Sequence, residues 1–179
     1  MKKTLLTVAL LAVAASSSFA DALLFTVSST PYDRQMARIR PVLTASNRTS
    51  NGVSLNVVNQ WMGNLRSIPY GFTAMWKTPA EAQSGAPADC KAKAVALYDK
   101  MRANGATNVQ LVIGKRTSSS RATHAWLAWE TQGASYVLDP TFNYTACAAG
   151  RVGRRNYQPL YAYAGTKKFR AASTLVAQN

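Results

Sequence analysis

Apolar residues recur at helical spacing in two stretches. Over residues 53–65 they fall at Val57, Val58, Trp61, Met62 and Leu65, which lie on one helical face. Over residues 90–103 they fall at Ala94, Val95, Tyr98 and Met101, again one face. The second helix has marked ends. Asp89 suits the N-cap, where a carboxylate accepts from first-turn N–H groups, and Asn104-Gly105 is a stop signal. A short helix is expected at Thr78-Pro79-Ala80-Glu81, which combines capping-box residues with proline at the first helical position. Residues 32–44 read as another short helix, broken at Pro41.

Alternation takes over further along. Val109, Leu111 and Ile113 set a strand within residues 108–115, and the run Thr123-His124-Ala125-Trp126-Leu127-Ala128-Trp129 sets a second. Tyr136-Val137-Leu138-Asp139 is a third, stopped by Pro140. Residues 159–163 read as a last strand, with Tyr157, Tyr161 and Tyr163 giving it an amphipathic look, and residues 21–30 as a short first one. Pro69-Tyr70-Gly71 reads as a turn, residues 46–52, 84–87 and 116–121 as loops, residues 144–156 as a basic loop, and residues 167–179 as a ragged tail. Helices come first and strands later, so the expected fold class is α+β with a mostly antiparallel sheet.

The second and third strands define a register. A turn at Thr131-Gln132-Gly133-Ala134, with two or four loop residues, pairs Glu130 with Ser135. Continuing that pairing sets Trp126 opposite Asp139 and His124 opposite Thr141. His124 and Trp126 share a face, since strand side chains alternate. Asp139 is then a diagonal neighbour of His124, within side-chain reach; a three-residue loop would shift the register and part them.

This register gives Cys90 a meaning. As the first residue of its helix it sits where the macrodipole and free N–H groups favour an anion, so a thiolate is favoured there. Lys91 and Lys93 add positive charge. A thiolate at a helix start is a ready nucleophile, and His124, the one histidine of the chain, is its natural base.

Compartment and charge narrow the class. Lys2-Lys3, the apolar stretch 5–15 and Ser18-Phe19-Ala20 read as a secretory signal peptide cleaved after Ala20. The apolar run is too short for a membrane anchor and no later run is long enough to span. Removing 20 of 179 residues leaves 159, enough for one domain over 21–179. Without Lys2 and Lys3 the net charge falls from +14 to +12. That field favours anionic partners, and for an exported protein an anionic envelope component comes before nucleic acid. No zinc spacing or nucleotide-binding glycine motif occurs, so neither a metal nor a cofactor is called for. Cys90 and Cys147 are the two cysteines. In an oxidising compartment such a pair bridges by default, and the short tether from Thr141 to Cys147 leaves a structural disulfide or a redox latch open beside a free thiol.

Taken in order, Trp76-x-Thr78-Pro79-x-Glu81, Asp89-Cys90, a helix, a strand, His124-Ala125-Trp126 and Leu138-Asp139 resemble the bacterial transglutaminase-like cysteine proteinases. Leu55-Asn56-Val57-Val58-Asn59 is similar to the Val-Asn pattern of a helix in that family. The resemblance covers about residues 50–145, with the domain core expected at about 50–165. It implies a papain-like fold, a nucleophile helix packed on an antiparallel sheet. It also implies an exported cysteine peptidase, periplasmic or secreted, acting on a protein or peptide. By position, Cys90 is the nucleophile, His124 the general base and then acid, and Asp139 the residue that orients the imidazole. Gln83 and Trp76 are candidates for the oxyanion hole or a subsite, beside the backbone N–H of Cys90. Trp61, Trp76, Trp126 and Trp129 otherwise read as core.

The chain departs from the family at the nucleophile. Ala88 stands where relatives carry Gly, and Lys91-Ala92 where they carry acids that help bind calcium. Calcium needs several oxygen ligands, so calcium dependence is not expected here. The same triad serves a transglutaminase, in which an amine replaces water. A non-catalytic envelope-binding protein on the same fold is the remaining alternative.

Overall fold

A computed structural model describes residues 24–47, 52–153 and 155–172. The signal-peptide reading and residues 173–179 lie outside them. The described elements in chain order are β1 (Leu24–Thr26), a 3-10 turn (Gln35–Ile39), α1 (Arg40–Thr44), α2 (Leu55–Ser67), α3 (Pro79–Ala82) and α4 (Cys90–Ala103). Then follow β2 (Val109–Thr117), β3 (His124–Thr131), β4 (Ala134–Leu138), β5 (Cys147–Ala148), a 3-10 turn (Ala149–Arg151), β6 (Asn156–Ala164) and β7 (Lys167–Ala171). The strands form one sheet, ordered β1-β7-β6-β2-β3-β4-β5, with each neighbouring pair antiparallel. The expected α+β class holds.

Three helix starts follow their cap residues. Ser54 accepts from Val57 at α2, Thr78 and Glu81 form the capping box of α3, and Asp89 accepts from Ala92 at α4. Pro41 does not break a helix. It sits in the first turn of α1, where its missing N–H costs nothing. The basic stretch 144–156 holds β5 and a 3-10 turn, and the expected tail begins with β7, which pairs with both β6 and β1. Neither strand carries a strong local signal; each forms because a neighbour offers an edge.

The sheet is buried on both faces where β3 crosses it. Ala125, Leu127 and Trp129 face α4 in the larger core, with Val95, Leu97, Met62 and Trp76. Trp126 and Ala128 face the other way, with Val112, Val137, Ala162 and Leu24. This is why the β3 run reads as continuously apolar rather than alternating. Lys93 is buried inside the helical layer. Its Nζ donates to Ile68 O at 2.6 Å and Arg66 O at 3.4 Å, tying the end of α2 to α4. Burial, then the nearby Arg66 charge, lowers its pKa against the opposing pull of Asp139. It is a structural tie rather than loose charge beside Cys90.

Candidate active site

Four pieces of chain meet at the N-terminus of α4. The helix start presents Cys90, 8% exposed. The β3–β4 hairpin supplies the base and its partner. Its turn is the two-residue version, with Gln132 at φ 50 and Gly133 at φ 74, both in the left-handed region. Glu130 pairs with Ser135 and Leu127 with Leu138, as the sequence register requires. One step past β4, Asp139 reaches diagonally to His124, with Oδ2 2.8 Å from Nε2. That bond leaves Nδ1 as the free ring nitrogen, and Cys90 and His124 line the same cleft.

The electrostatics favour a charged imidazole. Burial, the largest single influence, works against the charge. Hydrogen bonds to Asp139 and Cys90 and the negative charge of both outweigh it, and lift His124 to about 9. Asp139 is wholly buried, which by itself would raise its pKa. The His124 hydrogen bond and charge, the Tyr157 hydroxyl and the Thr141 N–H bring it below the ordinary carboxylate value instead. Thr141 N donates to Oδ1 at 3.0 Å and Tyr157 Oη donates to Oδ2 at 2.8 Å.

Tyr157 joins the site through Asp139, a role its sequence position does not announce. It precedes a register shift in the β2–β6 pairing, between Ile113 and Gly114. Its φ of 49° is left-handed, which a bulky residue adopts only when its surroundings impose it. Its ring packs edge-on against Trp126 at 5.3 Å, and Trp126 in turn stacks on His124 at 6.1 Å. The signal available in the sequence was the tyrosine-rich strand 157–163, without the bulge that aims its first member.

Beside the pair lies an open cleft of about 330 Å³, lined by Tyr70, Cys90, Arg116, Arg121, His124 and Phe142 among others. Phe142 lies 5.3 Å from the His124 ring, and the Arg116 guanidinium lies 4.3 Å above Phe142. Burial, followed by the negative charge of Cys90 and Asp89, raises the Tyr70 pKa and keeps the phenol neutral.

The other two sequence candidates lie on the approach to α4. Trp76 is buried in the core, and its indole N–H has no hydrogen-bond partner among the described residues. Gln83 is exposed at the end of α3, where its amide donates to Pro79 O at 3.1 Å. Cys147 is a free thiol, as is Cys90. It pairs with Val137 on β5, in the row of Ala128, four residues along β3 from His124. Four residues along and two strands across is about 16 Å, well outside the reach that the short tether suggested.

No family model matches the chain, and no curated protein matches it. Solved structures of LapG from Legionella pneumophila do. A calcium-bound form aligns with TM-score 0.55 and 13% identity, over 82% of this chain and 86% of that one. An EGTA-treated form aligns with TM-score 0.56 and 13% identity, over 82% and 80%. At that identity the likeness shows the fold alone, the papain-like, transglutaminase-like arrangement of helices and antiparallel sheet. Among the described residues no helix is long and apolar enough to cross a membrane.

The calcium of the first form raises the question of fit. After Cys90 this chain has Lys91 and Ala92. The Lys91 ammonium donates to Asp89 Oδ2 and, at 2.8 Å, to Thr73 O. Two oxygens that could serve a divalent cation are therefore held by an ammonium, and Ala92 offers none. These residues do not fit calcium.

Proposed function

We propose that this protein is an exported cysteine hydrolase that cleaves peptide or amide bonds through Cys90, His124 and Asp139. The observation that carries the reading is the His124–Asp139 bond of 2.8 Å, with Cys90 and His124 lining one cleft at the start of α4. The Cys90 thiolate attacks the substrate carbonyl carbon, and the tetrahedral oxyanion draws on N–H groups at the α4 start. His124, protonated, gives its proton to the leaving amine as the C–N bond breaks. A thioester remains. Neutral His124 then takes a proton from water, which attacks the thioester and releases the acid and the thiolate. Asp139 holds the ring in place and stabilises its charge.

The basic surface, net +14 for the full chain, fits an anionic envelope component as a location cue. The substrate is a protein or peptide lying along the Tyr70–Phe142 cleft. The test compares turnover of a fluorogenic peptide library by wild type, Cys90→Ala and His124→Ala, with circular dichroism to verify folding. Both variants are expected to be inactive and folded; full turnover in either one overturns the reading. Adding a primary amine separates hydrolysis from transamidation, since only the latter yields an amide product.

A further inference from the structure

We propose that the Lys91 ammonium is a built-in cation that takes the place of a calcium ion at the start of α4, and that Lys91 thereby positions the wall beside Cys90. Asp89 caps α4 while 0% exposed, so its charge needs a close counter-charge. One oxygen accepts from Ala92 N at 3.0 Å. The other accepts from Thr73 N at 3.2 Å and from the Lys91 ammonium. The ammonium also takes Thr73 O and lies 5.0 Å over the Phe72 ring. One cation thus gathers a carboxylate, a backbone carbonyl and an aromatic face from two segments of chain.

The segment it holds is the cleft wall. Tyr70, three residues before Thr73, lines the cleft with Cys90. Ala88 N donates to Pro69 O at 2.9 Å and Lys77 Nζ to Pro87 O at 2.8 Å, so the same two segments run together over several residues. Gly71 allows this approach: a Cβ there would stand 2.5 Å from Pro87 Cβ. Residues 91 and 92 are consistent as a pair. A lysine brings one positive charge to one buried carboxylate, and alanine avoids a second acid left unmatched.

The catalytic half of this inference rests on the hydrolase reading; the binding half does not. Purified protein is melted with calcium chloride and with EGTA, and Cys90 is alkylated with iodoacetamide under both conditions. Three proteins are compared: wild type, Lys91→Met, and Lys91→Glu with Ala92→Asp. Wild type should melt and label identically with calcium and EGTA. Lys91→Met should melt lower and change its labelling rate at least about tenfold, with no recovery in calcium. The double variant should melt low in EGTA and recover by several degrees in calcium, with a calorimetric binding signal that wild type lacks. A merely structural lysine would not yield that gained dependence. The proposal is overturned by a calcium-dependent melt of wild type, by Lys91→Met behaving as wild type, or by a double variant indifferent to calcium. None of these readouts uses turnover, so an inactive protein that passes them would overturn the hydrolase reading alone.

Discussion

Tyr157 and His124 share one oxygen of Asp139. The phenol donates to Oδ2 at 2.8 Å, and the imidazole Nε2 lies 2.8 Å from the same atom. The carboxylate is fixed by this pair on one oxygen and by Thr141 N on the other. Asn143 Nδ2 donates to the Tyr157 hydroxyl at 3.2 Å, leaving its proton directed at Asp139. Burial, with the Asp139 charge and hydrogen bond, raises the Tyr157 pKa beyond the range of use, so it stays a donor.

Tyr157→Phe removes that donor and keeps the ring. The expected loss is about tenfold or more in kcat, since a hydrogen bond to a charged group contributes about 1.5 kcal/mol at the low end. Asp139 is held below its ordinary pKa and contributes stability that is lost as pH falls through its folded value. Without the phenol that value is less depressed, so the loss begins at higher pH. The acidic limb of the pH–rate profile should move up with KM unchanged. An unmoved limb would leave Tyr157 with packing alone.

His124 sets the alkaline side. Its folded pKa, about 9, exceeds the ordinary 6.5. Its contribution to stability is therefore complete below pH 6.5 and declines as pH rises toward about 9, where the folded protein too gives up the proton. Urea melts of wild type and His124→Gln at pH 6, 7.5 and 9.5 measure this. Wild type should lose its pH-linked advantage across that series. A gap that stays constant would mean that His124 does not hold its proton as the geometry indicates.

The α4 helix, its cap, the hairpin register and the His124–Asp139 diagonal were all legible because each rests on residues close in sequence. A two-residue turn fixes pairing for a whole hairpin, so one dipeptide, Gln132-Gly133, carried most of the site. Tyr157 was not legible, because its aim comes from a bulge in a pairing between β2 and β6. The roles of Lys91 and Lys93 were hidden for the same reason. Their acceptors, Thr73 and Ile68, lie far back along the chain. β7 was missed because its strand character comes from β1 and β6 on either side rather than from its own pattern.

Gly114 is where the bulge and the site become one problem. A Cβ there would meet Gln158 O at 2.1 Å, the Trp126 ring at 2.6 Å and Pro159 Cα at 2.9 Å. Two of the three are backbone, so a rotamer change cannot relieve the clash. Gly114→Ala should destabilise by about 3 kcal/mol and, by shifting β6, lower activity as Tyr157→Phe does. Gly133→Ala, which meets nothing within 4 Å but has φ 74, is the control for backbone strain without the clash. A Gly114→Ala melt equal to wild type would mean that β6 can retreat freely.

Cys90 is expected to remain a free thiol even under oxidising conditions. Compartment alone argues for a bridge to Cys147. Geometry argues against it, since β5 holds Cys147 in the Ala128 row while Cys90 shares its cleft with His124, and a disulfide needs Cα atoms within about 7 Å. Forming it would require β5 to leave β4. Mass spectrometry of non-reduced protein, alkylated with iodoacetamide at pH 6, should find both cysteines labelled and no crosslinked peptide. His124→Ala should slow labelling of Cys90 by about tenfold or more, because the imidazolium that favours the thiolate is gone, while Cys147 labels as before. A Cys90–Cys147 crosslink in every molecule, resistant to mild reductant, would remove the nucleophile and leave a binding protein on a peptidase fold.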